Sequence, residues 1–388
     1  MTTIRTLTQR ELNRALLARQ LLLERQSPPE AEVIERLVGL QAQVPDAPYV
    51  ALWSRLIDYR PNALADDVAM GRAVRLSLMR GTIHLVTARD ALALQPALQS
   101  VVERIIRNSA HIRDLAGLDL AAILAEGQRL MAQQPRTRIE LGTLLAARWP
   151  GVPPGSLGMV ATALMPAVQC PPRGVWRSQS GPVWAPIETF VGRPPGPPIP
   201  LEDLVRRYLT AFGPASVADM SRWSGLQGLA PVVRRLWPGL RTFRSPTGQE
   251  LLDVPDGLLP DPETPAPPRF LGEYDNVLLS HRDRSRIMAV QELPGIPSGY
   301  GASTGTVLID GMLGATWKLI RDGTDVMLRV APYEPLKADD GQAIAGEGER
   351  LLRFIDPTAI GYAVRFEAPG RPVNPWAEAA KRPRTRPG

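Results

Sequence analysis

The chain has 388 residues, 44% of them hydrophobic and 22% charged, which suits a folded globular protein with room for two or three units. No run approaches the roughly 20 consecutive apolar residues of a membrane helix, and Met1-Thr2-Thr3-Ile4-Arg5 lacks an apolar signal core, so a cytoplasmic protein without membrane association is expected. A net charge of +6 favours a polyanionic partner, while a lone Cys170 and three scattered histidines, His84, His111 and His281, argue against a disulfide, a metal site or an iron–sulfur cofactor.

Thr8-Gln9-Arg10-Glu11 is a capping-box pattern ahead of a helix carrying Leu12, Ala15, Leu16, Leu22 and Leu23. Ser27-Pro28-Pro29-Glu30 predicts a second helix capped by Ser27, with Val33, Leu37 and Leu40 on one face. Short apolar runs at 74–78 and 83–86 flank Arg80-Gly81-Thr82 and predict a hairpin. Helices followed by a hairpin outline a winged helix over residues 1–112. The scheme recurs over 113–192, with a capping box at Thr137 and Glu140, a helical run at 156–167, and strands placed at 174–176 and 182–184. Beyond a Pro-rich linker it returns at 193–256, with helices at 201–212, 216–223 and 231–237 and strands at 241–244 and 250–253. Strands at 306–311, 315–320 and 325–330 and a helix at 346–354 make residues 257–370 a mainly β region. Residues 371–388 form a basic, proline-broken tail expected to be flexible. The expected fold class is therefore α+β: three tandem winged-helix units with a C-terminal mainly β region.

Gln41-Ala42-Gln43-Val44-Pro45 is the segment with chemical interest. Pro45 biases Val44 away from the helical region, so the preceding helix should end near here. In an extended turn, positions two apart face one side, and the carboxamides of Gln41 and Gln43 would converge, with Tyr49 nearby. The plainer alternative is two glutamines satisfying loose backbone groups or water at a helix end.

Lys318, Lys337 and Lys381 are the only lysines, so arginine carries nearly all the positive charge. Arginine suits bidentate phosphate and guanine contacts, although the codon bias of a GC-rich genome accounts for it equally well. Arg75, Arg80 and His84 lie around the first hairpin, and His281, Arg282, Arg284 and Arg286 lie close together. Either set could hold DNA phosphates, or could instead be a solvated charged surface. Trp53 and Trp317 read as core residues.

Taken together, Leu12 to Gln20, the Gln41-Ala42-Gln43 triplet, Met79-Arg80-Gly81-Thr82-Ile83-His84-Leu85-Val86, the run from Glu273 to Arg284, and Thr306 to Gly311 with Thr316-Trp317 resemble the winged-helix DNA glycosylases typified by the azinomycin-resistance glycosylase of actinobacteria. The resemblance covers nearly the whole chain except the tail. It implies a monomer that grips double-stranded DNA, needs no cofactor, and hydrolyses the N-glycosidic bond of bulky N7-alkylated purines. It also implies DNA repair, unhooking of interstrand crosslinks and self-resistance to a genotoxic natural product. Its catalytic motif, glutamine–apolar–glutamine, falls on Gln41 and Gln43. An N7-alkylpurine is already cationic and leaves without protonation, so placing a water suffices and amide oxygens can accept from it. The scarcity of lysine favours a monofunctional enzyme over one that forms a Schiff base and cuts the strand. The alternatives are a non-enzymatic winged-helix regulator or lesion-binding protein, and a module that sequesters the alkylating drug.

Overall fold

The computed structural model describes residues 4–289 and 304–370, so the expected basic tail lies outside the described residues. Capping boxes at Thr8/Glu11, Thr137/Glu140 and Ser216/Asp219 start the helices Gln9–Arg19, Arg138–Ala146 and Val217–Ser224, each cap hydroxyl taking an otherwise unpaired backbone N–H. The second helix departs from expectation. It runs Glu30–Arg36 behind Pro29, and Ser27 does not cap it.

Five short strands make the first sheet: β1 (Leu40–Gln41), β2 (Ala73–Ser77), β3 (Ile83–Thr87), β4 (Ala167–Gln169) and β5 (Trp184–Pro186), in the order β1-β3-β2-β4-β5. The expected hairpin is β2–β3, closed by a helical turn at Met79–Gly81 in which Arg80 and Gly81 adopt left-handed backbone. Strands expected at 174–176 and 182–184 form instead at β4 and β5, because this apolar pair continues the ladder begun by β2. Strands from the first two expected units thus complete a single sheet.

The ribbon β6 (Arg241–Arg244) with β7 (Glu250–Asp253) matches the sequence reading. The C-terminal sheet contains β8 (Arg269–Leu271), β9 (Gly305–Ile309), β10 (Met312–Asp322), β11 (Asp325–Pro332) and β12 (Gly361–Phe366). Its order is β12-β11-β10-β9-β8, and β12 pairs parallel to β11 after the crossover helix Ala338–Ile355.

Two hydrophobic cores each draw on segments far apart in sequence. One joins Leu16 and Leu17 of the first helix to Val74 and Val86 of the hairpin, to Tyr208, Phe212 and Trp223, and to Leu271. Another joins Leu52 and Leu85 to Ile123, Leu141 and Leu157, and to Phe270, Leu328 and Leu351. Each segment buries apolar side chains against others distant in sequence, and the hydrophobic effect holds the chain together as one body. Among the described residues no helix is long and apolar enough to cross a membrane.

Candidate active site

Gln41 lies in an extended strand and Gln43 in the bend after it, and the preceding helix ends earlier than expected, not because of Pro45. After Arg36 the chain turns through left-handed residues Val38 (φ 55°) and Gly39 (φ 90°). A Cβ on Gly39 would lie 2.5 Å from Val86 Cγ1, so glycine is required by both conformation and contact. The chain then enters edge strand β1, with Gln41 paired opposite His84, and Ala42 N–H donates to the Ile83 carbonyl at 2.8 Å.

The free side of β1 is clamped by Asn276. Its Nδ2 donates to the Gly39 carbonyl at 2.7 Å, and its Oδ1 accepts from Gln41 N–H at 3.4 Å. Asn276 is held in turn by its neighbour Asp275, which caps Val277 N–H and binds Arg55 bidentately, both bonds 2.9 Å, with both side chains buried. A buried fork of this kind tolerates loss of neither partner. The role of Asn276 was not anticipated. Its only signal in the sequence was membership of the resembling run Glu273 to Arg284.

Gln41 is buried, and its Oε1 accepts a 2.7 Å hydrogen bond from Arg80 Nη2. Arg80 Nη1 donates to the Trp223 carbonyl at 2.6 Å, tying the hairpin to the helix Val217–Ser224. Burial, with repulsion from Arg222, pushes the Arg80 guanidinium down to about 10, so it stays charged at neutral pH. The His84 ring has Nδ1 3.0 Å from the Thr82 carbonyl. That oxygen can only accept, so Nδ1 carries the proton and Nε2 turns a lone pair toward Arg80 at 3.5 Å. Burial and the neighbouring Arg80 cation push His84 down to about 3, and it is neutral at physiological pH. Gln43 is exposed, and its Oε1 meets Ile83 N–H at 3.4 Å. Both amides therefore lie along β3, one fixed by a cation and the other open to solvent. Tyr49 is not part of this group: it is fully buried and donates to the Gly174 carbonyl at 2.8 Å.

Most side chains expected to touch DNA are placed otherwise. Arg75 is 1% exposed and donates to the Ala42 carbonyl at 2.8 Å and to Gln169 Oε1 at 3.2 Å, which makes it a brace beneath the glutamine loop rather than a phosphate contact. His84 is 1% exposed. His281 is buried between Ser280 Oγ and the Phe212 carbonyl, at 2.9 and 3.0 Å. Arg284 and Arg286 are buried too, and Arg286 donates to the Pro214 carbonyl at 2.9 Å. Apolar neighbours from several segments close over these groups, an effect local sequence does not reveal. Arg282 is exposed, beside Asp219 and Asp283. Among the described residues, no three histidine, cysteine or acidic side chains gather where they could hold a metal ion.

The family model described as AlkZ-like DNA glycosylase matches residues 34–354. An interstrand DNA cross-link repair glycosylase from Streptomyces sahachiroi is 25% identical over 372 residues, covering 86% of this chain and 93% of that protein. The solved structure of the Streptomyces sahachiroi DNA glycosylase AlkZ superposes with a TM-score of 0.74 at 18% identity, over 93% of this chain and 100% of that one. With most of its length matched, including the glutamine loop, its clamp and the hairpin beside it, this chain belongs to the AlkZ-like DNA glycosylase family.

Proposed function

We propose that the protein is a monofunctional glycosylase that hydrolyses the N-glycosidic bond of bulky N7-alkylated purines in duplex DNA, with Gln41 and Gln43 placing the attacking water. One observation carries the assignment: the Gln41 amide is fixed by a half-buried cation, next to a second amide that is open to solvent. A carbonyl oxygen has two lone pairs, so Arg80 takes one and leaves one for water. The water oxygen forms a bond to the anomeric carbon as the bond to the purine nitrogen breaks. The bonding electrons neutralise the purinium, which departs uncharged, and the water proton passes to solvent. Amides are weak bases, so their contribution falls below the roughly 10²–10⁴-fold of true general-base catalysis. This limits the enzyme to labile cationic lesions.

The helices and hairpins are read as three winged-helix units that grip the duplex, with exposed Arg282 as a backbone contact. The Streptomyces relative is an interstrand DNA cross-link repair glycosylase, which supports unhooking of interstrand crosslinks as a further activity, and a role in self-resistance to a DNA-alkylating metabolite accords with it. The test is base release from N7-methylguanine and bulkier N7-guanine adducts. Gln41→Ala and Gln43→Ala should lose excision while DNA affinity stays within a few-fold. Undiminished excision by the double variant would remove both residues from the reaction. Sequence-specific binding to undamaged promoter DNA without excision would favour a regulator instead.

A further inference from the structure

A cavity of about 520 Å3 opens beside the turn that follows Gln43. Val44 and Asp46 line it from that turn, Trp176 from the loop after β4, Glu273 from the segment leading to the Asn276 clamp, and Trp317 and Lys318 from β10. Its size is that of a small-molecule pocket, large enough for a purine with a substituent. Trp176 is held in place by Tyr49 and Phe354, with ring centroids 4.8 and 5.2 Å away. Trp317 is fixed by its indole N–H, which donates to the Leu271 carbonyl at 2.9 Å.

The cavity wall carries the carboxyls of Asp46 and Glu273 together with the cations Arg177, Lys318 and Arg321. Two arginines on the wall, Arg177 and Arg321, are both turned to Asp356, Arg177 at 3.6 Å and Arg321 by a direct hydrogen bond. Asp46 accepts the backbone N–H of Arg177 at 3.0 Å. The Glu273 carboxyl is turned to its own backbone amide. Burial raises both carboxyls above the usual range, and repulsion from Asp46 raises Glu273 further. At Gln41 itself, Arg80 places positive charge against the amide oxygen, which disfavours a cationic ring there. A cationic base needs negative charge and aromatic faces near the glutamines, and this cavity supplies both.

We propose that the cavity receives the positively charged purine, its ring against the tryptophans and its charge met by Asp46 and Glu273. The inference rests on the glycosylase reading and deepens it. Asp46 already has Arg177 and Arg75 as counter-charges, whereas a neutral purine would leave the half-buried Glu273 carboxyl unmatched, so the site selects for alkylation at N7 before any bond breaks.

The experiment is a tryptophan-fluorescence titration of the full chain with 7-methylguanosine and with guanosine at pH 6, where the methylated nucleoside is cationic. Wild type should bind 7-methylguanosine at least about tenfold more tightly. The Asp46→Asn/Glu273→Gln double variant should lose that preference, and Gln41→Ala should retain it. The isosteric Glu273→Gln single variant, checked for native circular dichroism, guards against a folding artefact and should lose part of the preference. Equal binding of the two nucleosides by wild type, or an intact preference in the double variant, overturns the inference. Excision from N7-methylguanine DNA separates it from the reading beneath it. If the double variant excises as fast as wild type, the pocket is wrong and the glycosylase stands. If wild type excises nothing yet shows the carboxyl-dependent preference, the pocket stands and the proposed activity falls.

Discussion

Replacing Arg80 with methionine gives the sharpest test of how the Gln41 amide is held. The change removes the 2.7 Å bond to Gln41 Oε1 and the 2.6 Å bond to the Trp223 carbonyl. Each acceptor left unpaired in the interior costs about 1–3 kcal/mol. Against that, the guanidinium is itself under strain. Its downward shift to about 10 corresponds to about 3 kcal/mol against the charged form. The backbone there stays left-handed, φ 56°, in either protein. The opposing contributions nearly cancel, so chemical denaturation should show a loss of no more than about 3 kcal/mol. Catalysis has no such offset. A freed carboxamide rotates, and misplacing a water-orienting group costs on the order of 10²-fold in rate. Single-turnover base release should therefore fall about 100-fold while the DNA dissociation constant changes only a few-fold. Arg80→Lys keeps the charge but not the fork and should also be slow. Wild-type rates in Arg80→Met, or a rate loss matched by an equal loss of DNA affinity, would refute the argument; the latter would restore Arg80 as a phosphate contact.

Asn276→Ala removes both bonds that hold the free side of β1 and should destabilise the protein by about 1–3 kcal/mol. Excision should fall with it while circular dichroism stays native, and unaltered kinetics would show that the clamp is dispensable. His84 is held near 3 in the fold against about 6.5 unfolded, so the unfolded chain binds the extra proton between those values. Stability should drop as pH falls from 6.5 toward 3, His84 contributing about 1.4 kcal/mol per pH unit. His84→Gln should flatten that slope in urea titrations, and an unchanged slope would count against a buried neutral imidazole. Lys318 lines the cavity beside the glutamine turn. The monofunctional reading expects no borohydride-trapped complex with abasic DNA, and trapping that vanishes in Lys318→Ala would overturn it.

The sequence made the helices with strong caps legible, since Thr8, Thr137 and Ser216 carry their own local instructions. It also revealed β6 and β7, because the turn between them is local. It misplaced β4, whose pairing with β2 depends on residues some 90 positions away, and with it β5, which pairs with β4. Ser27 looked like a cap but sits outside the helix, and Pro29 occupies the cap position. In the site, Gln41 and Gln43 could be singled out, but not what holds them. An arginine in a hairpin reads as a surface charge whether it meets a phosphate or a buried amide. Arg80 does the latter only because the helix Val217–Ser224 covers it. The cavity was equally hidden, assembled from segments around residues 46, 176, 273 and 317.

Because β2 lies between β3 and β4, the two halves of the first sheet cannot swing apart about a hinge without tearing the ladder at Arg75–Gln169 and Leu76–Val168. Under the proposed function, a sheet pinned in this way would leave the duplex to bend, widen or unstack to bring a base to it. That deformation is least costly where stacking is already weakened by damage. Under the proposed function, a stiff sheet would let intact DNA be rejected by its own resistance to distortion.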